Sequence, residues 1–168
     1  TVNTCCNENN NMNKKDIRFS TIVSALEIHF DRVYNIAKAD EENRLEEEYK
    51  KSEEFITLLE LNKQYKTLQE SYDNIPFYKW AAISKTEKEV IRLRQEIFKL
   101  ASKSNTLFRG CLGDVVELGE HQYGISVNVN RENLPKTYTQ EEIEARLYLM
   151  DGWEDLSFNE LVKTFDND

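Results

Sequence analysis

Apolar residues recur at helical spacing through the first two thirds of this 168-residue chain, after which the pattern changes. Beyond Asp16, the residues Phe19, Ile22, Val23, Leu26, Phe30, Val33, Tyr34 and Ala37 keep one face apolar, which predicts a first helix. His29 stands beside that face as a packed or rim histidine. Asp40, followed by Glu41 and Glu42, reads as the cap and acidic first turn of a second helix. That helix carries one seam through Leu45, Tyr49, Ser52, Ile56 and Leu59. Another runs through Leu58, Leu61, Tyr65, Leu68, Tyr72 and Ile75. The seams differ in phase by one position near Leu58, which implies a change of packing partner there. Pro76, preceded by Asp73-Asn74, ends the run. A helix of this extent is roughly 50 Å long at 1.5 Å per residue, so an elongated body is expected.

Phe77, Tyr78 and Trp80 are expected to plug the end of the helical hairpin. Ser84-Lys85-Thr86-Glu87 matches a capping box, in which the Ser and Glu side chains satisfy each other's free backbone N–H groups. A third helix then runs to about Ser104, with Ile83, Val90, Leu93, Ile97 and Leu100 inward. Lys85, Lys88, Arg92, Lys99 and Lys103 form a basic stripe on its other side, read as a solvated face.

Past Asn105 the texture becomes glycine-rich, with Gly110, Gly113, Gly119 and Gly124 close together. Val115 to Leu118 reads as a short strand. Tyr123, Ile125, Val127 and Val129 alternate with polar residues or glycine, as a half-buried strand does. Residues Gly119 to Gln122 form the turn between them. A lone hairpin is marginal in water, so this one must lie on a helix or pair with another edge. Two further capping boxes, Thr139-Gln140-Glu141-Glu142 and Ser157-Phe158-Asn159-Glu160, open two short helices. Gly152 separates them and Trp153 anchors the break.

The expected fold is therefore mainly α: an antiparallel helical hairpin or three-helix coiled-coil-like body with a small α+β end. Three segments are expected, a disordered Asn-rich tail over 1–15, a helical body over 16–104, and the small end over 105–168 packed on that body. The phase break near Leu58 also raises the expectation of a homodimer.

Charge adds a direction. The chain has 22 Lys+Arg against 31 Asp+Glu, for a net −9. That balance argues against direct binding to phosphate backbones, which needs neutralising cations. The acid is concentrated in two blocks, with −6 over residues 40–60 and −7 over 138–168. Such single-sign patches attract partners of opposite sign. The candidate partner-binding residues are Glu41, Glu42, Glu46, Glu47, Glu53, Glu54, Glu141, Glu142, Asp151, Glu154 and Asp155.

Catalytic patterns are largely missing. No phosphate loop of either common type occurs, and two histidines with no Cys-x-x-Cys offer little for zinc. Cys111 and His121 are read as a buried thiol and a turn histidine, and Cys5-Cys6 as incidental thiols. Catalytic, cofactor and metal residues are therefore assigned as none. Glu70-Ser71-Tyr72-Asp73 is similar to the second half of the magnesium motif in MazG-type all-α nucleotide pyrophosphohydrolases. Leu45 and Lys50, however, stand where that motif's first half needs its third Glu. The leading expectation is a non-enzymatic protein–protein interaction module. It would be a scaffold or assembly subunit, or an acidic inhibitor that mimics nucleic acid and is encoded by a phage or mobile element. The alternative is a metal-dependent, pyrophosphohydrolase-like enzyme using Glu41, Glu42, Glu46, Glu70 and Asp73. Three cysteines, no secretory-type apolar run and no membrane-length apolar stretch place the expectation in the reducing cytoplasm, away from membranes.

Overall fold

Two separate sets of apolar side chains close into two cores. The computed structural model describes residues 5–104, 106–109 and 114–166, with side chains from Asp16 onward. A central unit spans Asp40–Asn130, and a terminal unit joins Thr1–Ala39 to Arg131–Asp168. The division thus falls at 39/40 and 130/131 rather than at 104/105. The reason is that the last two helices find their apolar partners on the first helix.

Helix α1 runs over Cys5–Lys50, so it begins inside the segment expected to be a tail. It also passes through Asp40, where a new helix was expected. Nothing between Ala37 and Arg44 breaks a helix, since glycine and proline are both absent there. The interruption comes instead at Lys51-Ser52, and α2 follows over Glu53–Asp73. Ser52 Oγ accepts from the Phe55 N–H at 3.3 Å, and Glu53 and Glu54 fill the first turn. This N-cap resets the helical phase. Phe55, Leu58, Asn62 and Tyr65 are buried along α2, while Ile56 and Leu59, expected inward, are 54% and 43% exposed. The second seam holds as expected, with Leu61 and Leu68 packed beside Leu58 and Tyr65.

Helix α3, Trp80–Lys103, starts one turn before the expected capping box, so Ser84 lies within it and caps nothing. Ala81 and Ala82 carry the helix backwards, because alanine has the highest helix propensity. Val90, Leu93, Ile97 and Ala101 are buried against α2. The connection between the helices does not bury its aromatics: Phe77, Tyr78 and Trp80 are 84%, 64% and 78% exposed. They stand outside the core because the Pro76–Lys79 turn carries them past its end, where the Lys79 N–H donates to the Pro76 carbonyl.

Three antiparallel strands complete the central unit, β1 (Leu107–Phe108), β2 (Val115–Leu118) and β3 (His121–Ile125), in the order β1-β3-β2. The expected hairpin is present and pairs with another edge, here β1, with Leu107 opposite Ile125. Its turn is tighter than expected, since Leu118 already faces His121. Gly119 makes this reversal at φ +64°, a left-handed conformation that favours glycine. Leu107, Leu118, Tyr123 and Ile125 bury against the helices. Asn62 fastens sheet to helix: its Nδ2 donates to the Glu117 carbonyl at 2.9 Å, and its Oδ1 accepts from the Gly119 N–H at 2.8 Å.

In the terminal unit, Val23, Leu26 and Phe30 of α1 pack with Ile143 and Leu147 of α4 (Gln140–Leu149) and with Trp153. Leu161 and Phe165 of α5 (Phe158–Asp166) close this core. The α1 stripe fades at Val33, which is 38% exposed. Both C-terminal caps form where the sequence places them. Thr139 Oγ1 accepts from Glu142 N–H at 3.2 Å, and Ser157 and Glu160 bond reciprocally at 3.0 and 3.3 Å. Gly152, at φ +80°, turns the chain into a single 3₁₀ turn, Trp153–Asp155, and Trp153 anchors it as expected.

Candidate functional site

The eleven candidate acidic residues fall in both units. Glu41, Glu42, Glu46, Glu47, Glu53 and Glu54 belong to the central unit, and Glu141, Glu142, Asp151, Glu154 and Asp155 to the terminal unit.

Several of the central group are spent on local pairs. Arg44 donates to both carboxylate oxygens of Glu41, at 3.0 and 2.7 Å, and these bonds hold the Glu41 carboxyl below its ordinary range. Glu46 is mostly buried, beside Lys50 and Asp114. Lys50 Nζ lies 3.2 Å from Glu46 and 3.4 Å from Asp114. Burial and then the hydrogen bond to Asp114 push the Glu46 pKa up, while the same bond and Lys50 hold Asp114 down. Glu53 and Glu54 face solvent at the start of α2, where the helix dipole favours them.

The carboxylates of the enzymatic alternative do not gather. Glu46 lies near the start of α2, while Glu70 and Asp73 lie at its end, roughly 30 Å further along at 1.5 Å per residue. Asp73 instead accepts from Gln69 at 3.2 Å. Among the described residues, no group of three or more His, Cys, Asp and Glu could hold a metal ion. Cys111 lies outside the described residues, as do the side chains of Cys5 and Cys6. His121 Nδ1 is 3.4 Å from Arg109 Nη2, and His29 sits at the rim of the terminal core against Phe30 and Phe158.

The terminal unit does build a site. Asp151 and Glu154 border a cleft of about 450 Å³ together with Asp16 of α1, and Phe19, Tyr148, Met150 and Trp153 supply its apolar surface. Phe19 organises the rings: its centroid is 4.7 Å from Tyr148 and 5.3 Å, edge-on, from Trp153. Gly152, at φ +80°, makes the turn between Asp151 and Trp153. Arg18 Nη2 donates to the Glu154 backbone carbonyl at 2.6 Å and ties α1 to this rim. Tyr148 is 75% exposed and Trp153 buried, so one exposed ring meets the carboxylates at the opening.

Asp16, Phe19 and Tyr148 were not recognised as site residues from the sequence. Asp16 and Phe19 are more than 130 positions from Asp151, and Tyr148 stands off the Ile143–Leu147 face of α4. Glu141 and Glu142 are exposed in the first turn of α4 and Asp155 beside the cleft's loop, and none of these three lines the cleft. Among the described residues, no helix is long and apolar enough to cross a membrane. No protein-family model, curated protein or solved structure matches this chain.

Proposed function

We propose that this protein is a non-enzymatic interaction module that binds a basic surface of another protein. The observation that supports this reading is the cleft of the terminal unit. There, two acidic residues singled out from the sequence join a third beside the exposed ring of Tyr148. Aromatic residues dominate binding hot spots. The acidic rim favours a cationic partner and raises its association rate. Such a module serves as an assembly subunit, or as an inhibitor that occupies a partner's nucleic-acid groove.

The test is affinity capture from the native host, comparing the wild-type chain with a D16N/D151N/E154Q variant of unchanged circular dichroism. A partner held at low salt, released by added salt and lost by the variant is the expected result. Capture that is indifferent to salt and to the three substitutions would overturn the reading.

A further inference from the structure

The turn between α2 and α3 is a second exposed surface, formed by other residues than the cleft and lying wholly in the central unit. Phe77, Tyr78 and Trp80 are all largely exposed there. The Phe77 and Tyr78 rings meet edge to face at 5.7 Å, and Trp80 opens α3 directly after them. Ala81 and Ala82, also exposed, carry the apolar surface over the first turn of that helix. Adjacent exposed apolar residues of this size mark an interaction surface.

Shape, charge and placement select what it meets. The turn closes where the Lys79 N–H donates to the Pro76 carbonyl at 3.0 Å, and its rings project from the end of the hairpin. A projection suits a soft medium that it can enter, whereas single-stranded nucleic acid is held in a cationic groove. Lys79 stands between the rings, and no Asp or Glu occurs from Asn74 to Thr86. Lys85 and Lys88 follow, exposed, on the next turns of α3. Seven basic residues stand against three acidic ones from Pro76 to Ser104, inside a unit of negative net charge. Of the flanking carboxylates, Asp73 accepts from Gln69, and Glu87 borders a cleft with Gln69 and Tyr72 of α2. The acidic run from Glu46 to Glu54 lies at the other end of α2, roughly 30 Å away. That exceeds the screening length of about 8 Å at physiological salt, so these acids do not oppose an anionic surface at the turn. Tryptophan and tyrosine favour the headgroup layer of a bilayer, which takes both an apolar ring and its polar edge. Lysines beside them are drawn to anionic lipid. A second copy docked turn to turn would instead set Lys79 against its own counterpart.

We propose that this turn enters the headgroup layer of an anionic lipid surface, with Phe77, Tyr78 and Trp80 inserted and Lys79, Lys85 and Lys88 against the phosphates. Such docking needs no spanning helix. It sets aside the expectation of a chain away from membranes, which rests on the absence of spanning and secretory stretches.

The test sediments the full chain with vesicles of equal parts phosphatidylcholine and phosphatidylserine, and with vesicles of phosphatidylcholine alone. Bound fraction, tryptophan emission and its quenching by brominated acyl chains are read. The expected result is saturable binding to the anionic vesicles, at least about tenfold weaker on phosphatidylcholine, with blue-shifted and quenched emission. Each lysine near an anionic surface contributes about fivefold, so K79Q/K85Q/K88Q should bind at least about tenfold more weakly. F77S/W80S should lose at least about tenfold as well. W80F should still bind but lose the blue shift and quenching, because Trp153 is buried in the terminal unit. All these positions are exposed, so the variants are expected to fold, and circular dichroism checks this. No vesicle binding, undiminished binding of F77S/W80S, or a blue shift retained by W80F would overturn the proposal. A single-stranded oligonucleotide or a host protein held by this turn in place of vesicles would overturn it too. The cleft variant D16N/D151N/E154Q should bind vesicles as the wild type does, so this inference and the interaction reading fail separately.

Discussion

Asn62 is a polar residue on the apolar face of α2, and both ends of its amide are used on the β2–β3 reversal. Replacing it by alanine leaves a carbonyl and an N–H without those partners, at a cost of about 2 kcal/mol. Asn62→Ala should therefore lower the urea midpoint by that equivalent without changing the slope. The sequence marks position 62 as polar but not as a latch, because its partners lie more than 50 residues away. Glu46 presents the opposite problem, a carboxyl placed where ionisation is disfavoured. Its folded pKa lies above the ordinary glutamate value near 4.5. Its contribution to stability is thus present below that value and is lost as pH rises through the raised folded pKa. Asp114 behaves inversely: its folded pKa is depressed, so its contribution is lost as pH falls through that value. Glu46→Gln replaces the ionisable carboxyl by a neutral amide beside Lys50 and Asp114. Its melting temperature relative to wild type should accordingly be higher at pH 7 than at pH 4.5, as a paired thermal scan would show. An equal offset at both pH values would contradict the raised Glu46 pKa.

At the scale of elements, two similar acidic starts compete along the early helices. Asp40-Glu41-Glu42 and Ser52-Glu53-Glu54 both look like helix beginnings, and only the second is one. The chain before Asp40 has no residue that ends a helix, whereas Ser52 is preceded by a break that its own hydroxyl repairs. Ser52→Ala should cost about 1 kcal/mol, as loss of an N-cap does. Ser84→Ala, in the box that caps nothing, should be neutral or slightly stabilising through propensity. Guanidinium titrations of the two variants separate the assignments. The boxes at 139–142 and 157–160 were legible because each follows an irregular connection, so no earlier helix could run through them. The sequence located β2 and, by alternation from Tyr123, the second half of β3. That strand ends at Ile125 rather than running on to Val129 and begins at His121, which was expected in the turn. Strand β1, with two residues, carries no periodic signal. The exposed Phe77-Tyr78-Lys79-Trp80 turn reads as core by composition. Only the path of the chain past Pro76 puts it outside, so the double variant F77S/W80S should leave stability nearly unchanged.

For the whole molecule, the sequence arithmetic puts acid in two blocks, and the fold redistributes it between two cores. The terminal unit carries nine basic and 14 acidic residues and the central unit 13 and 17, so the net −9 divides into −5 and −4. Charge alone does not choose between the units. What distinguishes the terminal unit is that its carboxylates meet aromatic rings at an opening, whereas Glu46 and Asp114 both lie against Lys50. The acidic residues of that site were half legible, as Asp151 and Glu154. Asp16 and Phe19 come from α1, and nothing local in the sequence brings them to Asp151 and Glu154, while Tyr148 stands off the apolar face of α4.

Photo-crosslinking tests the interaction claim most directly. Benzoylphenylalanine placed at Tyr148, on the cleft, or at Tyr78, on the exposed turn, would be irradiated in the native host. The account predicts a covalent adduct with another protein from position 148, diminished by D151N and by added salt. An adduct from position 78 alone, or from neither position, would contradict it.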